Sequence, residues 1–144
     1  MLELIYLYSN LMLIGLIWIV QIVHYPSFLY VEKTKYFDFQ DFHMKRISYI
    51  VVPLMLTELL SALALIPKNT NLEVRGILFW ISFILMAFIW IWTFFINVPL
   101  HSKLTHSFDD KLIHALIRSN WPRTIAWTIK GGVLIYLLIP ELFA

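Results

Sequence analysis

Glu58 has the least hospitable position of any charged residue in this chain. Counting about eleven residues from Ile47 at 1.5 Å each puts its carboxyl ~16 Å into a long apolar run, near the middle of a bilayer-sized stretch. By the same count Lys130 lies about six residues, ~9 Å, inside another apolar run. Ionisable groups at such depth are costly and mark an inward-facing cavity, an ion pair or a protonated acid. Lys130 can also carry its ammonium to the near surface on its long stem. All five histidines, His24, His43, His101, His106 and His114, fall at or beyond the ends of apolar runs. His106 and His114 adjoin no other unusual residue and read as loop histidines. His24 ends its run directly before Tyr25-Pro26, with Gln21 one helical turn earlier. Thr93, Asn97 and His101 recur at four-residue steps, as do Asn120, Thr124 and Thr128.

Several kinds of chemistry fit these residues. Imidazole with carboxylate suits zinc, copper or non-haem iron, which makes His24, His43, Glu58 and His101 a candidate metal set. Two opposed imidazoles, His24 and His101, suit haem. Glu58 is also the candidate acid–base group, with Arg123 and Asn120 placed to hold the polar end of a substrate. Stripes of Thr and Asn equally serve to join helices inside a membrane. No tight metal-ligand spacing occurs, nor a glycine-rich phosphate loop, G-x-S-x-G or H-E-x-x-H. The absence of cysteine excludes disulfides, thiolate metal sites and a thiol nucleophile.

The elements that must position these residues follow from composition. The chain is 60% hydrophobic and 14% charged, against roughly 45–50% and about 25% in soluble domains. Crossing ~30 Å of hydrocarbon takes about 20 apolar residues. Four runs qualify, residues 4–25, 47–66, 77–100 and 124–143, and with no alternating pattern they are predicted as helices. The expected fold is one all-α domain over residues 1–144, an integral membrane four-helix bundle. Pro26, the stretch from Pro67 to Asn71, Gly76 and Pro99 mark run ends, and Pro53 should bend the second helix. Tyr36, Phe37, Phe39 and Phe42 interleaved with polar residues predict a short amphipathic helix between the first two spans. Leu112, Ile113, Leu116 and Ile117, after Asp109-Asp110, predict another between the last two. Trp80, Trp121 and Trp127 suit membrane interfaces.

The first and third connections hold eight Lys and Arg (Lys33, Lys35, Lys45, Arg46, Lys103, Lys111, Arg118, Arg123), the second only Lys68 and Arg75. The positive-inside rule therefore puts the first and third in the cytoplasm and both termini outside. Met1-Leu2-Glu3-Leu4 lacks the basic start of a cleaved signal, so the first span is expected to be retained. A net charge of +2, with basic residues confined largely to juxtamembrane loops, gives no footing for nucleic acid.

The strings Gly15-Leu16-Ile17-Trp18-Ile19-Val20-Gln21-Ile22-Val23-His24-Tyr25-Pro26, Phe42-His43, Pro53-Leu54-Met55-Leu56-Thr57-Glu58, Val98-Pro99-Leu100-His101 and Asn120-Trp121-Pro122-Arg123-Thr124-Ile125-Ala126-Trp127 resemble a family of small, uncharacterised bacterial four-span membrane proteins. The resemblance implies this architecture and a bacterial inner-membrane location. Size and span number are also similar to anthrone-oxygenase-like membrane proteins and HemJ-type protoporphyrinogen oxidases, an analogy of fold that carries no residue roles.

Three functions fit the sequence. The leading one is a membrane-embedded, oxidoreductase-like enzyme acting on a hydrophobic small molecule that enters from membrane lipid, with a transition metal or haem as cofactor. The second is a protein that binds or transports a lipid, quinone or ion without chemistry, which as a transporter would need to form a homo-oligomer. The third is an assembly subunit whose polar stripes dock other helices.

Overall fold

The computed structural model describes residues 1–68 and 73–142. Regular structure among them is entirely helical: α1 (Leu2–Ile19), α2 (Tyr25–Ser27), α3 (Tyr36–Leu65), α4 (Val74–Trp92), α5 (Val98–Leu104) and α6 (Asp110–Leu142). Three continuous helical segments, Leu2–Tyr30, Lys33–Lys68 and Val74–Leu104, are long and apolar enough to cross a membrane. The 33 residues of α6 make a fourth rod of ~50 Å at 1.5 Å per residue. The turn expected through Asn69 to Asn71 and the run end at Phe143 lie outside the described residues.

Pro26 and Pro99 were expected to stop or kink the helices, and the chain instead stays helical through both. A proline has no N–H for the carbonyl four residues back, and its ring crowds that carbonyl. Here the preceding turn widens. Residues Val20–His24 and Thr93–Asn97 each form one π-helical turn, closed by Tyr25 N–H donating to the Val20 carbonyl and Val98 N–H to the Thr93 carbonyl, five residues back. Single π-turns of this kind insert a residue into the helix and re-aim the side chains beyond it. The sequence carries the same signature twice, at His24-Tyr25-Pro26 and Asn97-Val98-Pro99.

The separate amphipathic helices expected in the two basic connections do not form as separate elements. Nothing between Tyr36 and Ile47 interrupts a helix, so the aromatic-rich stretch is the first third of α3, which also runs unbroken through Pro53. It turns Tyr36, Gln40 and His43 inward and leaves Phe37 and Phe42 exposed. Likewise the Leu112 to Ile117 stretch is the start of α6. Asp109 caps it, its carboxylate accepting the Lys111 N–H at 2.8 Å.

The packing order around the bundle is α3, α1, α6, α4, with α1 the inner partner of both α3 and α6. Polar and aromatic contacts join α1 to α6 along its length. Trp18 Nε1 donates to Thr128 Oγ1 at 3.1 Å, and the Trp18 and Trp121 rings meet edge to face 5.8 Å apart. Pro122 leaves the Arg118 carbonyl without its helical donor. The carbonyls on either side of it, Ile117 and Ser119, take side-chain donors from other helices, Gln21 Nε2 at 3.1 Å and Trp92 Nε1 at 2.7 Å. Trp127, expected at the membrane surface, is instead buried in the core with Leu13, Ile17, Met55, Ile89 and Ala126.

Gly131 sets the closest approach of α1 to α6. A methyl there would collide with Ile14 Cδ1 and lie 2.9 Å from Asn10 Oδ1, whereas one on Gly132 meets nothing within 4 Å. Small residues allow such close helix contact in lipid, where apolar burial gives helices little reason to associate. Gly131→Ala should therefore destabilise the fold by ~1–3 kcal/mol, the usual cost of overpacking. Gly132→Ala should not. Thermal unfolding of both variants in the same detergent tests the contrast, and equal midpoints would refute it.

Candidate functional site

Two polar clusters lie inside the bundle, where the sequence suggests one. The first surrounds Glu58. Its Oε1 lies 2.5 Å from Lys130 Nζ and accepts from Asn10 Nδ2 at 3.1 Å, and its Oε2 accepts from Trp127 Nε1 at 3.4 Å. Glu58, Lys130 and Asn10 are each fully buried. The Lys130 ammonium also faces the Tyr6 ring at 5.6 Å, and the Tyr6 hydroxyl is 3.3 Å from Ser82 Oγ. Lys130 therefore does not reach for the surface. Both charges are answered by each other and by neutral groups from α1 and α6, as apolar surroundings require.

The second cluster sits where the end of α1, the start of α3, α5 and the first half of α6 converge. His24 Nε2 and His43 Nδ1 are 2.6 Å apart. The His43 and His101 rings are separated by 5.5 Å between centroids. Tyr25 Oη lies 2.9 Å from His101 Nε2 and Gln40 Nε2 lies 3.2 Å from His101 Nδ1, so both nitrogens of that ring are engaged. The π-turns place these groups: Tyr25 follows one directly, and His101 comes four residues after the other. His106 and His114 lie at the surface, as expected for loop histidines.

Arg123 joins the two clusters. Its guanidinium faces Tyr25, stacks over the Trp127 ring at 5.1 Å and donates from Nη1 to Asn120 Oδ1 at 3.1 Å. Asn120 is held in turn by donating to Gln21 Oε1 at 2.9 Å. Arg123 is only 6% exposed, and its Nε has no hydrogen-bond partner. No carboxylate among the described residues pairs with it.

The metal set His24, His43, Glu58 and His101 is therefore corrected. Among the described residues no group of three or more acidic or imidazole side chains is arranged to hold a metal. Glu58 belongs to the other cluster, with both oxygens engaged. A zinc–nitrogen bond of ~2.0–2.1 Å leaves no room for an ion between imidazole nitrogens 2.6 Å apart. Of the pair His24 and His101 suggested for haem, His101 has both nitrogens hydrogen-bonded, to Tyr25 and to Gln40. Asn120 and Arg123 stand together, with Tyr25 and His101 beside Arg123.

A cleft of about 450 Å³ opens beside this cluster. One wall comes from α3, with Ile47, Val51 and Met55, and the other from α4 and α5, with Trp90, Phe94 and Val98. The expected stripe Thr93, Asn97, His101 splits at the π-turn, yet Thr93, Asn97 and His101 all line this cleft, with Tyr25 and Arg123. The second stripe has a different use. Asn120, Thr124 and Thr128 bind Gln21 and Trp18 of the first rod and fasten helices. An apolar cluster of Phe28, Tyr36, Leu104, Ile113 and Leu116 packs beside the imidazoles, the Phe28 ring lying 5.3 Å from that of His24 and 5.1 Å from that of His43. Sequence reasoning missed Tyr25, Gln40, Asn10 and Trp127. The spacing Tyr36, Gln40, His43 was the one available signal, a polar line on one face of an amphipathic stretch.

No family model matches the chain, and neither curated proteins nor solved structures yield a relative.

Removing one member of a buried ion pair strands the other, at a cost of ~3–5 kcal/mol, whereas replacing both with apolar residues of similar volume is often neutral. Glu58→Leu and Lys130→Met alone should each lower the midpoint of unfolding sharply, and the double variant should recover most of the loss. A double variant as unstable as the sum of the singles would show that the pair does not act as a unit.

Proposed function

We propose that this chain is a bacterial inner-membrane protein crossing the bilayer four times, with α6 as the fourth span, which takes an amphipathic small molecule from the lipid into the cleft between α3 and α4. One observation carries this reading: an apolar cleft whose floor is Arg123, Tyr25 and His101. Its volume falls within the ~300–1,000 Å³ usual for small-molecule sites, and apolar walls with a few convergent polar groups are their usual composition. The rim residues Val52, Leu56, Phe94 and Val98 are 43–55% exposed in the isolated chain, so in a bilayer they would meet lipid tails. The apolar walls and exposed rim support entry from the side.

Acid–base turnover of the bound molecule is the second reading. His43 favours it: the residue is 4% exposed, and its Nε2 has no partner. Buried polar atoms are nearly always satisfied, and an exception near a cleft suggests a group awaiting a ligand or proton. Engagement of both His101 nitrogens favours binding alone.

The protein purified in mild detergent should retain an amphiphile detectable by native mass spectrometry. Val51→Trp, which adds bulk to the apolar wall of the cleft, should lose it. A wild-type protein that emerges empty and stays empty after exposure to a total lipid extract would overturn the assignment. The four-span topology has its own test, helped by the lack of native cysteine. In intact cells an impermeant maleimide should label Lys68→Cys from outside and spare Lys103→Cys. The reverse pattern would invert the orientation, and labelling of both or neither would overturn the span count.

A further inference from the structure

Resting on that reading of the cleft, we infer that its occupant carries a single negative charge on one long apolar chain, as a fatty acid does, with its carboxylate against Arg123. The charges inside the bundle do not balance, since it buries two cations and one acid among the described residues. Lys130 and Glu58 neutralise each other. Arg123 is left with neutral neighbours only, an amide from Asn120, the Trp127 ring and the Tyr25 phenol. A guanidinium does not shed its proton in a protein, so burial without a counter-charge is costly unless an anion completes the site.

The geometry narrows the class of anion. The unpartnered Nε edge of Arg123 leaves part of its planar fork free, and that fork matches a carboxylate. Among the described residues one cation lines the cleft, which balances a monoanion and leaves a dianionic phosphate half compensated. Tyr25, whose hydroxyl is within hydrogen-bond reach of His101 Nε2, lines the same floor. The cleft's volume of about 450 Å³ between walls of branched and aromatic side chains suits one acyl chain better than two.

The test uses the full-length protein in lipid nanodiscs, with cis-parinaric acid as a fluorescent fatty acid reporting energy transfer from the tryptophans, Trp90 among them on the cleft wall. The competitors are palmitic acid, its methyl ester and palmitoyl lysophosphatidate, each at the same mole fraction of lipid and at a pH well above the carboxylate pKa. Palmitate should displace the probe at about ten-fold or more lower mole fraction than the ester, the scale of a charge-assisted hydrogen bond. Arg123→Gln should abolish that preference, and Arg123→Lys should keep part of it. The comparison of acid with ester is made on the unaltered protein, so it stands even if Arg123→Gln fails to fold. Equal displacement by acid and ester would overturn the charge assignment while leaving the cleft as a site for a neutral amphiphile. Lysophosphatidate ten-fold tighter than palmitate would replace the carboxylate with a phosphate. A probe that never binds, or binds equally well to Val51→Trp, would remove the cleft reading itself.

Discussion

A polar group in hydrocarbon finds no water, so it must be satisfied by the protein around it. Most of this structure follows from that constraint applied to Glu58. Its carboxylate draws Lys130 and Trp127 from α6 and Asn10 from α1, which fixes three helices to one another at mid-depth. Gly131, next to Lys130, allows α1 and α6 the close approach this pairing needs. The rod formed by α4 and α5 makes no hydrogen bond or ion pair with Glu58 among the described residues. It packs on α6 through Trp92, Asn97 and Ser119 and stands off from α3. The cleft lies between α3 and the rod of α4 and α5, which is fastened mainly to α6, with a further contact to α1 through Ser82 and Tyr6.

Backbone accounting shapes the site as strongly as side-chain charge does. Each of the two π-turns lies just before an X-Pro step. By absorbing the missing donor and the ring clash in a wider turn, the chain keeps its helical direction while rotating the residues beyond it. Tyr25 and His101, far apart in sequence, are thereby turned toward each other across the bundle. Pro122, inside α6, is handled differently, with carbonyls on either side of its orphaned partner bound by Gln21 and Trp92. The same local defect is widened into a turn where it orients the site, and bonded over where it joins helices.

Much of the architecture was legible in the residues themselves, because bilayer thickness converts directly into the length of an apolar run. Three membrane-length helices, the helix start at Asp109-Asp110 and the burial of Glu58 all follow from local composition and spacing. The grouping of Asn120 with Arg123 was legible too, since residues three apart share a helix face. The sequence could not tell which of its polar residues belong together. Glu58 and the histidines read as one site because each is unusual at its depth, yet depth is one coordinate and says nothing of the angle around a helix. That angle is set by the π-turns and by the order α3, α1, α6, α4. Contacts between residues dozens of positions apart decide both. Position along each helix axis was thus determined by the sequence alone, and direction around it, which separates the buried ion pair from an arginine with no carboxylate partner among the described residues, only by the packed bundle.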